Sequence, residues 1–491
     1  MSNFVLQFQL KTEKWQEDIL DKRFEIGRKI YNALVNVIQK RYNEMTKTKK
    51  YRNLMASLTH NKKHDEPIWR EINKIRRDNG FSEKHPFQDD VKFMQKHFKK
   101  NIHSQVARKI AVSVWRAYDK LFNGNGKKIH YKRYGEFNSL EGASNETGIM
   151  FRNNTVIFGK VGKKYFEIPV KIANTPYEQQ ALQNPIAYCR IIRKYVRNRY
   201  KYYVQIVFKG NPPVKIDKKT GMTKHPVGTG DVGLDIGTST IAIASQTDVK
   251  ILELADKVQR LENEKRVILR KMDRSRRAMN LQNYNPDGTI KKQGNQKVIW
   301  KKSNHYLNYQ NQLKEIYRKQ ADVRKYQHEC LANAIISLGD NIYVEKMNFA
   351  GLQKRAKKTE KNTKGKFNRK KRFGKSLANK APAMLLEIIR RKLGYYGKEL
   401  IEINTFEARA SQFNHVDGTY QKKKLSQRWT TVDGTQVQRD MYSAFLIMNV
   451  NSDLKTFDIE KCHARFEDFK MLHDREVMRL SGHKNLSSIA I

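Results

Sequence analysis

The chain has 491 residues, with 98 Lys and Arg against 49 Asp and Glu and a formal net charge of +49. A hydrophobic content of 38% is enough for packed cores and excludes wholesale disorder. The positive excess repels itself unless a polyanion compensates it, which favours DNA or RNA as partner over a membrane surface.

The length leaves room for three or four domains at ~100–200 residues each. Residues 2–10 alternate apolar and polar, as a strand does. Residues 14 to about 122 read as helical. Phe24, Ile26, Ile30, Leu34, Val37 and Ile38 space as one helix face, and Val106, Ile110, Val114, Trp115 and Tyr118 as another. Short strands follow at 155–158, 165–168, 187–192 and 202–208, separated by turn dipeptides, which predicts a small β-barrel or sandwich. The first strand is expected to join that sheet, making the helical block an insertion. Residues 213–230 read as a linker. Strands are then predicted at 232–236, 240–245 and 249–252, and helices at about 254–272 and 303–338, the second capped by Gly339. A strand at 342–345, a basic loop, a helix near 381–397, a strand at 399–404 and a terminal helix from 440 complete the order, which is that of an RNase H-like α/β fold.

No run approaches ~18 consecutive apolar residues, and the N-terminus does not read as a signal peptide. Cys189, Cys330 and Cys462 form no Cys-x-x-Cys pair, which argues against disulfides and thiolate zinc and fits a reducing cytoplasm.

Three acids stand in distinctive settings. Asp235 lies within Val232-Gly-Leu-Asp-Ile-Gly-Thr238, Glu345 ends Asn341-Ile-Tyr-Val-Glu345, and Asp440 opens an apolar helical run. Taken singly, Glu345 reads as a strand-end carboxylate and Asp440 as a helix cap. Carboxylates beside apolar runs are costly unless compensated. Jointly, in this fold order, they suit two divalent metals acting on a phosphodiester. Gly237, Thr238 and Ser239 would allow close approach of a phosphate.

Gly233-Leu-Asp-Ile-Gly237, Val344-Glu-Lys-Met-Asn348 and Gln438-Arg-Asp-Met-Tyr-Ser-Ala444 resemble the three RuvC motifs of the TnpB family, transposon-encoded relatives of the type V CRISPR nucleases. The resemblance is motif-level over about 232–450 and architectural over 1–230. It implies a magnesium-dependent, RNA-guided DNA endonuclease that reads a short motif beside its target, with Asp235, Glu345 and Asp440 as metal ligands. The implied plan is a wedge β-barrel (1–13 and 124–212), a helical recognition insertion (14–123) and the linker. A RuvC domain (231–405) would follow, with a helical hairpin at 254–338 and a basic lid at 351–376. A zinc-ribbon-like insertion (406–437) and the final helix with a tail (438–491) would end the chain. The chain departs from the family at the ribbon. Asn414, Asp417, Thr430 and Asp433 stand at the usual cysteine places, so no structural zinc is expected. His415, Asp417 and Asp433 are read as solvated turn residues, with Phe413, Tyr420, Leu425 and Trp429 holding the ribbon together.

Residues 354–375 hold twelve Lys or Arg and one acid, Glu360. The candidate nucleic-acid contacts there are Lys354, Arg355, Arg369, Lys370, Lys371, Arg372 and Lys375. In the loop of about 270–302 they are Arg274, Arg276, Arg277, Lys301 and Lys302, with Tyr284, Trp300 and Tyr306 either stacking on bases or filling a minor core. In the β domain they are Lys127, Lys128, Lys132, Arg133, Arg190, Arg193, Lys194 and Arg197. The expected partners are a guide RNA and double-stranded target DNA, in a prokaryotic cytoplasm and at the nucleoid when bound. Monomer and dimer both stay open. Alternatives are a nuclease-inactive guided repressor, a strand-transfer transposase and a resolvase acting without RNA.

Overall fold

The computed structural model describes all residues except 1, 60, 84–86, 292–293, 295–297, 357, 363–364, 366, 369–372, 425–426 and 482–491. The chain divides at Pro213/Val214 into two compact units.

In the first unit, β1 (Asn3–Leu10) leads into five helices: α1 (Lys14–Lys47), α2 (Lys49–Ala56), α3 (Lys62–Asp78), α4 (Gln88–His97) and α5 (Ser104–Phe122). The strands β2 (Ser139–Glu141), β3 (Ile149–Arg152), β4 (Thr155–Val161), β5 (Lys164–Lys171), β6 (Ile186–Val196) and β7 (Arg199–Lys209) follow, with α6 (Pro176–Leu182) between β5 and β6. The sheet order is β2-β6-β7-β1-β5-β4-β3, and β3 returns against β6, so the sheet nearly closes into a barrel. β1 is a central strand, antiparallel to both β7 and β5. The helical block is thus inserted between two strands of one sheet. A capping box between Glu13 and Gln16 starts α1, and Leu20, Phe24, Ile30, Leu34 and Ile38 line its buried face. Val37 departs from the expected face. It is 40% exposed, and Val35 is buried in its place, because the stripe drifts around a 34-residue helix.

In the second unit, β8 (Asp231–Ile236), β9 (Thr240–Ser245) and β10 (Val249–Glu253) precede the hairpin of α7 (Val258–Ala278) and α8 (Asn304–Ile336). Next come β11 (Asn341–Glu345), α9 (Phe349–Leu352), α10 (Gly374–Lys380), α11 (Pro382–Gly394), β12 (Leu400–Ile403) and α12 (Thr405–Ala408). The hairpin β13 (Trp429–Val432) and β14 (Thr435–Gln438) runs straight into α13 (Arg439–Met448), and α14 (Ile459–Ser481) closes the described chain. The main sheet has the order β10-β9-β8-β11-β12. β10, β9 and β8 are antiparallel, and β8, β11 and β12 are parallel.

Each face of this sheet has its own core. Val232, Leu234, Ile236, Ile342 and Val344 pack on Ala332, Ile335 and Ile336 of α8 and on the apolar side of α11. The opposite face, with Ala242, Ala244, Val249, Ile251 and Ile403, packs on α13 and α14. Residues 441–448 of α13 are all buried, as a helix apolar on every side must be. The residues beyond 450 are more than a tail. α14 is 23 residues long, and its buried Glu476 accepts the Ile251 N–H at 3.0 Å, covering the edge strand β10. Gly339 does not cap α8. The helix ends at Ile336 with Ser337 as its C-cap, and Gly339 is needed because a Cβ there would run into the carbonyl of Gly230.

Candidate active site

Asp235 and Glu345 become neighbours through sheet register. β8 and β11 are parallel, with Leu234 opposite Val344, and the next residue on each strand is an acid. Side chains alternate, so Asp235 shares a face with Gly233, and Glu345 shares it with Tyr343. That is the α13 face, because Tyr343 packs into the α13 core.

The third acid arrives on the helix. A Cβ on Gly233 would overlap the Ala444 carbonyl oxygen and lie 2.5 Å from the Met448 nitrogen. The α13 backbone therefore rests directly on β8 at a residue that must be glycine. Asp440, Ala444 and Met448 recur every four residues, so they form one stripe along α13. The stripe that lies on Gly233 ends at Asp440, beside Asp235.

The start of α13 is held by a chain of polar contacts. Gln438 caps the helix by accepting the Met441 N–H at 2.8 Å, and its own N–H donates to His473 Nε2 on α14 at 2.9 Å. One turn on, Tyr442 meets the His415 ring nitrogen Nδ1 at 2.7 Å and accepts the His415 N–H at 3.1 Å. His415 is thus buried rather than solvated, and burial pushes its pKa down to about 4. The other expected turn residues behave differently. Asp417 is exposed and accepts from Thr419 and Asn414, and Asp433 occupies the β13–β14 turn with φ 47°. Asn414 and Asp417 share one loop, while Thr430 and Asp433 sit on the hairpin. Phe413 packs at a tilt against Tyr420 and Phe457, and Trp429 packs on His473. Leu425 lies outside the described residues.

All three acids are neither fully buried nor freely exposed, so solvent reaches a site walled by protein. Asp235 is held well above the usual carboxylate range, first by desolvation, then by the charges of Asp440 and Glu345, with Arg439 opposing. Burial pushes Glu345 up to about 7, against a hydrogen bond from the Ala410 backbone. Asp440 accepts from Arg439 at 2.8 and 3.1 Å and from Arg428 at 3.4 Å. Among the described residues no three His, Cys, Asp or Glu side chains are closed on one another tightly enough to grip an ion. The donor chemistry nevertheless suits a hard divalent cation, since three carboxylates supply only oxygen ligands. Two of them favour the neutral form where the charge is uncompensated, and a cation would supply that compensation.

Arg428 and Arg439 were not among the sequence candidates. Arg439 adjoins an acid in the chain, and that adjacency was the available signal. Gly233 was visible as part of a motif, without its reason. Phe406 was missed altogether. It is 92% exposed on α12, the short helix between β12 and Ala410, where it flanks the segment that binds Glu345.

The basic candidates do not form one surface. Arg193 is buried and pairs with Asp21 at 2.7 Å and Glu25 at 3.2 Å, so it braces α1 against β6 and is closed to a phosphate. Arg190 is tied to Glu141. Lys194 donates to Gln7 and lies over Tyr203. Lys127, Lys128 and Arg133 are exposed on the segment after α5, and Lys132 lies over Tyr31. Arg197 is exposed in the two-residue β6–β7 turn. In the second unit, Arg276 and Arg277 both pair with Asp273 and stack on Trp300 and Tyr284. Those two rings meet edge to face with centroids 5.7 Å apart, the minor-core arrangement, while Lys302 reaches over Tyr306. Arg274, Lys301, Lys354 and Arg355 are exposed, and Lys375 lies 3.5 Å from Glu262. Arg369, Lys370, Lys371 and Arg372 lie outside the described residues. Ser239 and Ser376 meet at 2.6 Å, and Ser376 donates to the Thr238 carbonyl, fixing the C-terminal end of the basic segment to the loop after Asp235.

No family model and no curated protein sequence matches the chain. Among solved structures, a CRISPR-Cas12f ternary complex is similar at 13% identity over 89% of this chain and 82% of that one, with a TM-score of 0.26. A Cas12i–crRNA–dsDNA complex is similar at 11% identity over 94% of this chain and 65% of that one, with a TM-score of 0.25. A Cas12i1 R-loop complex gives 9%, 96%, 64% and 0.27 for the same quantities. Values of this size leave the function to the chain's own residues. No helix among the described residues is long and apolar enough to cross a membrane.

Proposed function

We propose that the chain is an RNA-guided DNA endonuclease of the TnpB type, with a RuvC site of RNase H-like plan formed by Asp235, Glu345 and Asp440. One observation carries this reading: three acids from separate segments converge, and Asp235 feels both of the others. The strand order, the resemblance to three RuvC motifs and the charge of +49 support it. Magnesium, when bound, would lower the pKa of a water and stabilise the leaving oxygen.

The chain's own residues perform the remaining work. Asp235 and Glu345 present oxygens from adjacent strand ends, and the Gly233 contact sets the depth of α13 and so the reach of Asp440. Arg439 and Arg428 hold Asp440 until a stronger cation competes for it. The exposed cations neutralise phosphates, and guide pairing supplies sequence choice.

The test uses protein purified with its co-purifying RNA. Asp235→Ala should abolish magnesium-dependent cleavage of DNA matching that RNA while binding to the same DNA persists. Cleavage at wild-type rate by Asp235→Ala, or a preparation free of RNA, would overturn the proposal.

A further inference from the structure

The first unit contains a second site unrelated to the three acids. A cleft of about 630 Å³ opens beside the β4–β5 turn of the barrel and the α4–α5 connection. That volume is within the ~300–1,000 Å³ of ordinary ligand pockets. Arg23, Lys99, Lys100, His103, Lys160 and Tyr165 line it, and no Asp or Glu is among its lining residues.

Arg23 is the unusual member. It is 1% exposed, on α1, and its guanidinium lies between the rings of Phe158 and Phe166, at 4.5 and 4.8 Å from their centroids. It donates to the carbonyls of Phe158 and Lys160, and its Nε has no partner. Among the described residues no carboxylate pairs with it. A buried cation without a counter-ion is costly, and burial here pulls the Arg23 pKa down to about 10. Carbonyl dipoles and ring faces offset part of that cost, but an anion entering the cleft would offset more. Lys99 and Lys100 are exposed at its rim. Gly159 and Gly162, both at positive φ, leave its wall without side chains, so a ligand can approach the backbone. Tyr165, 58% exposed with the Lys160 ammonium 5.0 Å from its ring centroid, offers its other face for stacking.

We propose that this cleft holds one phosphate-bearing nucleotide of a single-stranded segment of nucleic acid, with the phosphate toward Arg23, Lys99 and Lys100 and the base toward Tyr165. The cleft is sized for one nucleotide and not for a duplex. The proposal goes beyond the nuclease reading and stands or falls separately from it.

Calorimetric titration of the full-length chain with 5′-AMP, 5′-dAMP and adenosine tests it. Either nucleotide should bind at least about tenfold more tightly than adenosine, the effect of charge-assisted bonds to a phosphate. The double variant K99A/K100A, which changes only exposed side chains, should weaken nucleotide binding at least about fivefold. The control K47A/K49A, exposed elsewhere on the same unit, should leave it unchanged. Tyr165→Ala should weaken the nucleotides and adenosine alike. Arg23→Gln should abolish binding if it folds; if it does not, the lysine pair decides. No binding of either nucleotide, equal affinity for adenosine, or equal losses in both lysine pairs would overturn the proposal, the last by reducing the effect to overall charge.

Discussion

At the scale of single residues, the protonation of Glu345 is the most exposed part of the account. Its pKa in the folded chain is about 7, against an ordinary carboxylate value of 4.5. A raised folded value means the fold favours the protonated form. The contribution is therefore most favourable below about pH 4.5 and is lost as pH rises through about 7. Without metal, Glu345→Gln should raise Tm relative to wild type, and the difference should widen between about pH 5 and pH 8. A constant difference over that range would contradict the assignment. The three acids were legible in the sequence because each interrupts, ends or opens an apolar run. Their electrostatic partners were not. Arg428 reaches Asp440 only because the β13–β14 hairpin folds back. His415 looked like a solvated loop residue because its burial comes from α13 and α14, which lie far along the chain.

At the scale of elements, the site depends on how deeply α13 sits on the sheet. Gly233→Ala would place a methyl group against the Ala444 carbonyl and the Met448 backbone, neither of which can rotate away. Overpacking of this kind costs about 1–3 kcal/mol. We expect a lower Tm and loss of magnesium-dependent activity together, since Asp440 moves with the helix. Unchanged Tm and activity would show that α13 is not seated there. The sheet and the α7–α8 hairpin were readable from periodicity to within a few residues at their ends. α14 was not, because buried His473 and Glu476 interrupt its apolar stripe of Cys462, Phe466, Phe469, Leu472 and Leu480, and it follows a helix that already looked terminal. The role of Gly339 was misread for a related reason. A glycine just past a helix suggests a cap, whereas here the constraint is the approach of two backbones, invisible in one segment.

At the scale of the whole molecule, a net charge of +49 predicts binding that weakens steeply with salt. The structure separates exposed cations from those that hold the fold. Arg274→Ala, on the exposed side of α7, should leave Tm unchanged and reduce the slope of log K against log salt by up to about one. Arg193→Ala should lower the stability of the first unit by about 1–3 kcal/mol, because it removes buried hydrogen bonds to Asp21, Glu25 and Asn138. The opposite pattern, a stable Arg193 variant with a reduced salt slope, would restore Arg193 as a phosphate contact. Composition shows the charge excess but not this division, because pairing across β6 and α1 is a property of the fold.

The central claim is that Asp235, Glu345 and Asp440 act as one site, and a mutant cycle tests it most directly. Cleavage of guide-matched DNA is measured for Asp235→Ala, Glu345→Ala, Asp440→Ala and their pairwise combinations, each loaded with the co-purified RNA. Each single variant should lose at least about a thousandfold in rate, and the double variants should be no slower than the singles, as for groups acting as a unit. Near-wild-type cleavage by any one of the three, or losses that multiply across pairs, would contradict it.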